Sequence, residues 1–330
     1  MFGKMMNRYY YGKSGKGDFT KEDLPQNRWQ LFWEMLRVRL MGLIKLNLIY
    51  AVAWLPAIIV IARGIVMAYS GMVGIADMQA EVQAGAIAQE ALTQQLALLS
   101  DGLRAIALQT LLLLVPCLAV TGPFTAGVCY VTRNWARDEH AFVWSDFRDA
   151  VKENWKQGLA TSVITGFMPL ILYVCFLFYG DMAKQNAFFL IPQVLSITVV
   201  LLWMCLLTYI YPQMVTYRLG YRDLLKNSLF MTIARLPMSL GLKLLSILPA
   251  VLCSLVGFLT PYPQYAILVL GLYYLVLGFS LSRFVGASYT NAVFDRFINA
   301  RIEGAEVNRG LYVEDEDEDE PASESTDGKA

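Results

Sequence analysis

The stretch YGKSGKG, residues 11–17, has the residue types of a phosphate loop, in which backbone N–H groups and a lysine cradle a nucleotide's phosphates. The full pattern needs a glycine five residues before Gly12, and Asn7 stands there, so the segment reads as a flexible basic leader. His140, the sole histidine, lies in a charged loop with no cysteine or histidine partner and no serine motif nearby, which argues against a metal site or a catalytic triad. The five cysteines, Cys117, Cys129, Cys175, Cys205 and Cys253, fall in apolar runs without a C-x-x-C pair and read as reduced packing residues. From these groups we expect no enzyme chemistry, no metal, no cofactor and no nucleic-acid partner.

Charges inside apolar runs carry more information. Buried Asp and Glu mark proton and cation paths in many transporters, and the apolar windows of this chain hold none. Lys45, Arg63, Arg104, Lys243 and Arg283 sit near window ends, where long side chains reach the interface and relieve most of the cost of a charge in hydrocarbon. Lys243 and Arg283, on adjacent windows, admit a second reading as the lining of an anion-attracting cavity.

The stretch TGPFTAGVCYVTRNWARDEHAF, residues 121–142, passes from apolar to charged just after a helix-disrupting pair. Pro123 has no N–H and frees the carbonyl of Ala119, so a bend is expected there, with Thr121 or Thr125 as candidate partners for the freed group. Gly122, Ala126 and Gly127 form a small-residue face suited to close helix approach. The alternative is a discontinuous helix lining a ligand site. Tyr130 and Trp135 suit an interfacial belt, and Ser145 can cap the helix that follows.

The elements that position these residues follow from composition. The chain has 330 residues, of which 56% are hydrophobic and only 16% charged, values outside the ordinary soluble range. About 20 apolar residues cross a bilayer core, and six windows of that size lie near 44–66, 105–131, 157–180, 187–211, 238–259 and 264–287. The last two are divided at TPYPQ, a proline-rich polar turn. The expected fold is therefore an all-α, polytopic transmembrane bundle of six spans. A polar start with eight Lys or Arg in 40 residues argues against a cleavable signal.

Basic residues orient the bundle. With both termini cytoplasmic, the four cytoplasmic segments take 21 of the 27 Lys and Arg, and the external loops take only Lys184. The formal net charge of zero hides an asymmetry, because residues 314–330 hold nine acids and one lysine, leaving +8 on the rest. The loop 67–102 carries no basic residue and reads as a partly helical external excursion.

The odd spans share one proline each, Pro56, Pro169 and Pro249, in WLPAI, FMPLI and ILPAV. Each follows a candidate amphipathic elbow: Trp29, Trp33, Leu36 and Leu40; Phe147, Val151 and Trp155; Tyr221, Leu225, Leu229 and Ile233. Three elbow-plus-hairpin repeats are the simplest reading. The domain boundaries expected are a basic leader and interfacial helix over 1–43, a membrane domain over 44–303, and a disordered acidic tail over 304–330.

LIKLNLIYAVAWLPAI (43–58), TGPFTAGVCYVTRNWARDEHAFVWSDFRDAVKENWKQGL (121–159) and YPQMVTYRLGYRDLLKNSLF (211–230) together resemble the YesL-like family of multispanning membrane proteins from Gram-positive bacteria. The resemblance implies a plasma-membrane protein and, because such proteins are often encoded beside carbohydrate ABC-transport components, a non-enzymatic accessory or regulatory role in sugar uptake. It carries no catalytic residues. A small-molecule permease, with a path between the proline-broken spans, is the alternative. The partners expected are the bilayer and either membrane transport components or further copies of the chain.

Overall fold

A computed structural model describes residues 25–83, 89–260 and 262–312. The basic leader up to residue 24 and the acidic run from residue 313 lie outside the described residues. The chain is all helical, with no strand among the described residues. In chain order the helices are α1 (Arg28–Gln83), α2 (Gln89–Trp135), α3 (Ser145–Ala183), α4 (Leu190–Thr216), α5 (Tyr221–Ala234), α6 (Leu236–Leu259), α7 (Pro263–Tyr273) and α8 (Phe279–Phe297). A five-residue π-helical turn, Tyr274–Gly278, joins α7 to α8.

Six elements are long and apolar enough to cross a membrane: α1, α2, α3, α4, α6 and the α7–α8 run. They contain the six windows, one each, and divide at TPYPQ, where α6 ends at Leu259 and Pro263 opens α7. Proline suits that opening position because its missing N–H has no helical partner there anyway.

Several helices outrun the bilayer. The 56 residues of α1 rise about 84 Å at 1.5 Å each, against an apolar core of about 30 Å. Its start is fixed by a reciprocal cap: Asn27 Oδ1 accepts from the Gln30 N–H at 2.9 Å, and Gln30 Oε1 accepts from the Gln26 N–H at 3.0 Å. The first two expected elbows are continuous with the spans they precede, inside α1 and α3. Only the third is a separate helix, α5. It stops at Arg235, where Pro237, second residue of α6, has no N–H to bond the Ile233 carbonyl and its ring crowds that turn. At the start of α3 the expected Ser145 cap does not form. Ser145 bonds Asp146 instead, and Asp146 Oδ2 accepts from the Phe142 N–H at 2.9 Å.

The core is concentrated toward one end of the bundle, where the start of α1, the end of α2 and α8 converge. Leu43, Leu46 and Tyr50 of α1 pack there with Val128, Val131 and Trp135 of α2 and Phe284 of α8. A second cluster joins Ala126 and Cys129 of α2 to Leu206, Ile210 and Met214 of α4. We call this the basic end. Residues 304–312, placed with the tail on composition, pack against it: the Tyr312 N–H donates to the Pro25 carbonyl at 3.0 Å, and Leu311 joins the core.

Candidate functional site

The most extensive helix packing is between α2 and α3, and glycine explains it. A Cβ on Gly122 would collide with the Gly158 carbonyl oxygen, and one on Gly166 would lie 3.0 Å from the Val115 carbonyl oxygen. Gly158, Ser162 and Gly166 repeat every four residues and therefore share one face of α3. At its middle, Ser162 Oγ lies 2.6 Å from the carbonyl oxygen of Ala119, the acceptor that Pro123 deprives of its helical partner. Thr121 and Thr125 donate elsewhere, to the Leu118 and Thr121 carbonyls. The three small residues of the expected face divide between two neighbours. Gly122 and Gly127 lie against α3, Gly127 under Phe147 and Val151, and Ala126 packs toward α4.

Asn47 of α1, completely buried, serves the π-helical turn. Its amide donates to the carbonyls of Tyr274 and Leu275 at 2.9 and 2.7 Å, and its oxygen accepts from the Ser280 N–H at 2.8 Å. The Ser280 hydroxyl returns to the Leu43 carbonyl at 2.9 Å. A π-turn disrupts the regular helical ladder, and here one side chain of α1 satisfies two of its carbonyls and the Ser280 N–H just beyond it. One turn along α1, Tyr50 donates to Thr125 Oγ1 at 2.7 Å, since that hydroxyl already donates to Thr121.

Next to this polar layer lies a cavity of about 40 Å³, bounded by α2, α4, α6 and α8. Lys243 and Arg283 both line it, together with Cys129, Thr208 and Pro212. They come from different helices, α6 and α8, and neither forms an ion pair with a carboxylate among the described residues. The Arg283 guanidinium lies 5.7 Å from the centre of the Tyr211 ring, a cation–π distance. Ser282 donates to Ser246 at 3.0 Å and Ser246 to the Leu242 carbonyl at 2.9 Å, so both hydroxyl hydrogens are spent within the wall. Thr208 Oγ1 is buried without a hydrogen-bond partner. Pro212 also withdraws the N–H that would bond the Thr208 carbonyl.

Pro56, Pro169 and Pro249 lie inside unbroken α1, α3 and α6, and Pro56 is exposed on the bundle surface. None of the three lines the cavity. Sequence reasoning singled out Lys243 and Arg283 by their charge, but it missed Asn47, Thr208, Ser162 and Pro212. An uncharged polar residue in an apolar helix gives no signal about which neighbour it will meet.

At the basic end, Asp295 is a buried carboxylate held between two arginines. Its Oδ2 is 2.6 Å from Arg28 and its Oδ1 3.2 Å from Arg137, and it also accepts from Asn299 at 2.6 Å and from the Asn308 N–H at 3.2 Å. Arg137 reaches Glu139 at 3.0 Å and the Glu306 carbonyl at 3.0 Å. Tyr217 donates to Asn299 at 2.7 Å, and burial pushes its phenol up to about 12, so it remains a donor. This network ties together the start of α1, the α2–α3 loop and residues 295–308. A groove of about 400 Å³ lies at the opposite end, between α2 and α3, lined by Arg104, Tyr173 and Asp181 among mostly apolar groups.

These features define a multi-pass, all-α membrane protein with a cationic cavity in its packed half. Residues 105–176 match a family model described as "Protein of unknown function, DUF624". The matched run holds the glycine and serine seam between α2 and α3, and it is consistent with the YesL-like resemblance. No curated protein and no solved structure matches the chain.

Proposed function

We propose that this chain is a non-enzymatic accessory or regulatory partner of a carbohydrate ABC transport system, held in the plasma membrane with both termini in the cytoplasm. The observation in its favour is the size of the interior cavity. Its volume of about 40 Å³ suits an ion, whereas pockets for small organic ligands run from about 300 Å³ upward. The basic end, cross-linked by Asp295 and its arginines, offers a stiff platform on which a partner can rest. The link to carbohydrate draws on the YesL-like resemblance, and the sidedness on the distribution of basic residues.

The test is purification of the tagged full-length chain from its own cells in a mild detergent. Transporter subunits should copurify, and deletion of the gene should change sugar uptake. A chain that purifies alone, with uptake unchanged in its absence, would sink the reading. Reporter fusions after residues 140, 226 and 310 should lie on one side of the membrane, and fusions after 85 and 184 on the other. The competing reading, a small-molecule permease, draws on the groove beside Arg104, Tyr173 and Asp181. Sugar uptake by proteoliposomes holding this chain alone would favour it.

A further inference from the structure

We propose that the cavity bounded by α2, α4, α6 and α8 is a binding site for a phosphate-type oxyanion, held by Lys243, Arg283 and the hydroxyl of Thr208. The inference stands whether or not the chain docks to a transporter.

Two independent features of the cavity call for an anion. Two cations from different helices face one small volume without a carboxylate between them. Charges drawn into a low-dielectric interior are paired, hydrated or bound to a ligand, and like charges placed together need a counter-charge more than either alone. Thr208 supplies the second feature. It is only 8% exposed, and its hydroxyl has no partner. A buried polar group in that state signals a missing acceptor or donor. The neighbouring serines do not supply one, because Ser282 and Ser246 donate within their own chain of bonds.

Volume and donor geometry narrow the ligand. A cavity of about 40 Å³ holds roughly three water-sized groups, at 10–15 Å³ of such volume for each. That is the scale of a tetrahedral oxyanion and far below a sugar. A guanidinium presents a planar fork that matches two oxygens of one phosphate, while an ammonium adds a point charge and a hydroxyl one further donor. Phosphate of this kind has two sources, the free ion and the headgroup of an anionic lipid entering between helices. Both present the same oxygens to the same donors.

The experiment uses the purified full-length chain in a neutral sugar-headgroup detergent and a phosphate-free buffer, with thermal unfolding as the readout. In one arm inorganic phosphate is titrated against chloride at matched ionic strength. In the other the micelles are doped with phosphatidic acid or, as control, with diacylglycerol. A rise in Tm with inorganic phosphate assigns the free ion, and a rise with phosphatidic acid alone assigns the lipid headgroup. In either case Arg283→Gln should abolish the rise. Thr208→Val should weaken the apparent affinity about ten-fold, the loss of one hydrogen bond to a charged group. Thr208→Val is nearly isosteric and removes an unpartnered buried hydroxyl, so its ligand-free form should unfold no lower than the parent. It therefore keeps the test open if Arg283→Gln fails to fold. Arg104→Gln, outside the cavity, should leave the response intact. No rise in either arm, or a rise that Thr208→Val leaves unchanged, overturns the proposal.

Discussion

The hydroxyl of Ser162 lies 2.6 Å from the carbonyl oxygen of Ala119, so a side chain of α3 completes the hydrogen bond that Pro123 removes from α2. That contact requires the backbones to be close, and Gly122 against Gly158 brings them there. Proline, serine and two glycines thus act as one device for joining two helices where water cannot satisfy an orphan carbonyl.

The first prediction tests that coupling. Ser162→Ala leaves the Ala119 carbonyl unsatisfied and should cost about 1–3 kcal/mol. Pro123→Ala restores the N–H and should be mild alone. Made together, the two should destabilise less than Ser162→Ala by itself, a non-additivity that a double-mutant cycle in thermal unfolding would read. Strict additivity would show that the hydroxyl does not serve the proline.

Glycine substitutions should separate by what an added methyl meets. Gly122→Ala drives a Cβ into the Gly158 carbonyl, which is backbone and cannot swing away, so folded yield in detergent should fall sharply. Gly127→Ala meets Phe147 and Val151 side-chain atoms at 2.7 Å, which can shift by small amounts, and should be milder. Gly74→Ala and Gly241→Ala meet nothing within 4 Å and should be neutral or stabilising by up to about 1 kcal/mol from helix propensity. Equal yields across the series would contradict the close approach of α2 and α3.

Asn47→Leu keeps the size of the side chain but removes two donors from the π-turn and one acceptor from the start of α8. Each stranded backbone group costs about 1–3 kcal/mol when buried, so this should rank among the most destabilising single changes in α1. Amide exchange should speed up around Tyr274 to Ser280 before it does in α2. Unchanged protection there would mean that the turn holds itself.

At the basic end, Asp295→Asn leaves Arg28 and Arg137 facing a neutral group. Removing one partner from a buried ion pair typically costs about 3–5 kcal/mol. Deleting residues 313–330 should leave insertion and thermal stability unchanged, because it spares the contacts of Glu306, Asn308, Leu311 and Tyr312. Deleting from residue 304 removes all four and should lower Tm. Equal Tm values for the two truncations would show that residues 304–312 contribute nothing to the bundle.

The amino-acid sequence by itself determined the six membrane-crossing elements, though not how far their helices run past the apolar windows. Crossing a bilayer is a property of length and composition, both local. It also marked Lys243 and Arg283, since a charge in an apolar run stands out whatever surrounds it. Tertiary structure alone decided the partners. Ser162 lies 43 positions from Ala119, Asn47 227 from Tyr274, and Arg28 267 from Asp295. In hydrocarbon every polar group must find its partner within the protein, and which one it finds depends on how the helices pack. A serine or asparagine reads the same in sequence whether it points at lipid, at its own helix or at a neighbour. The same packing set Thr208, an unremarked residue of an apolar span, beside two cations and left its hydroxyl without a partner.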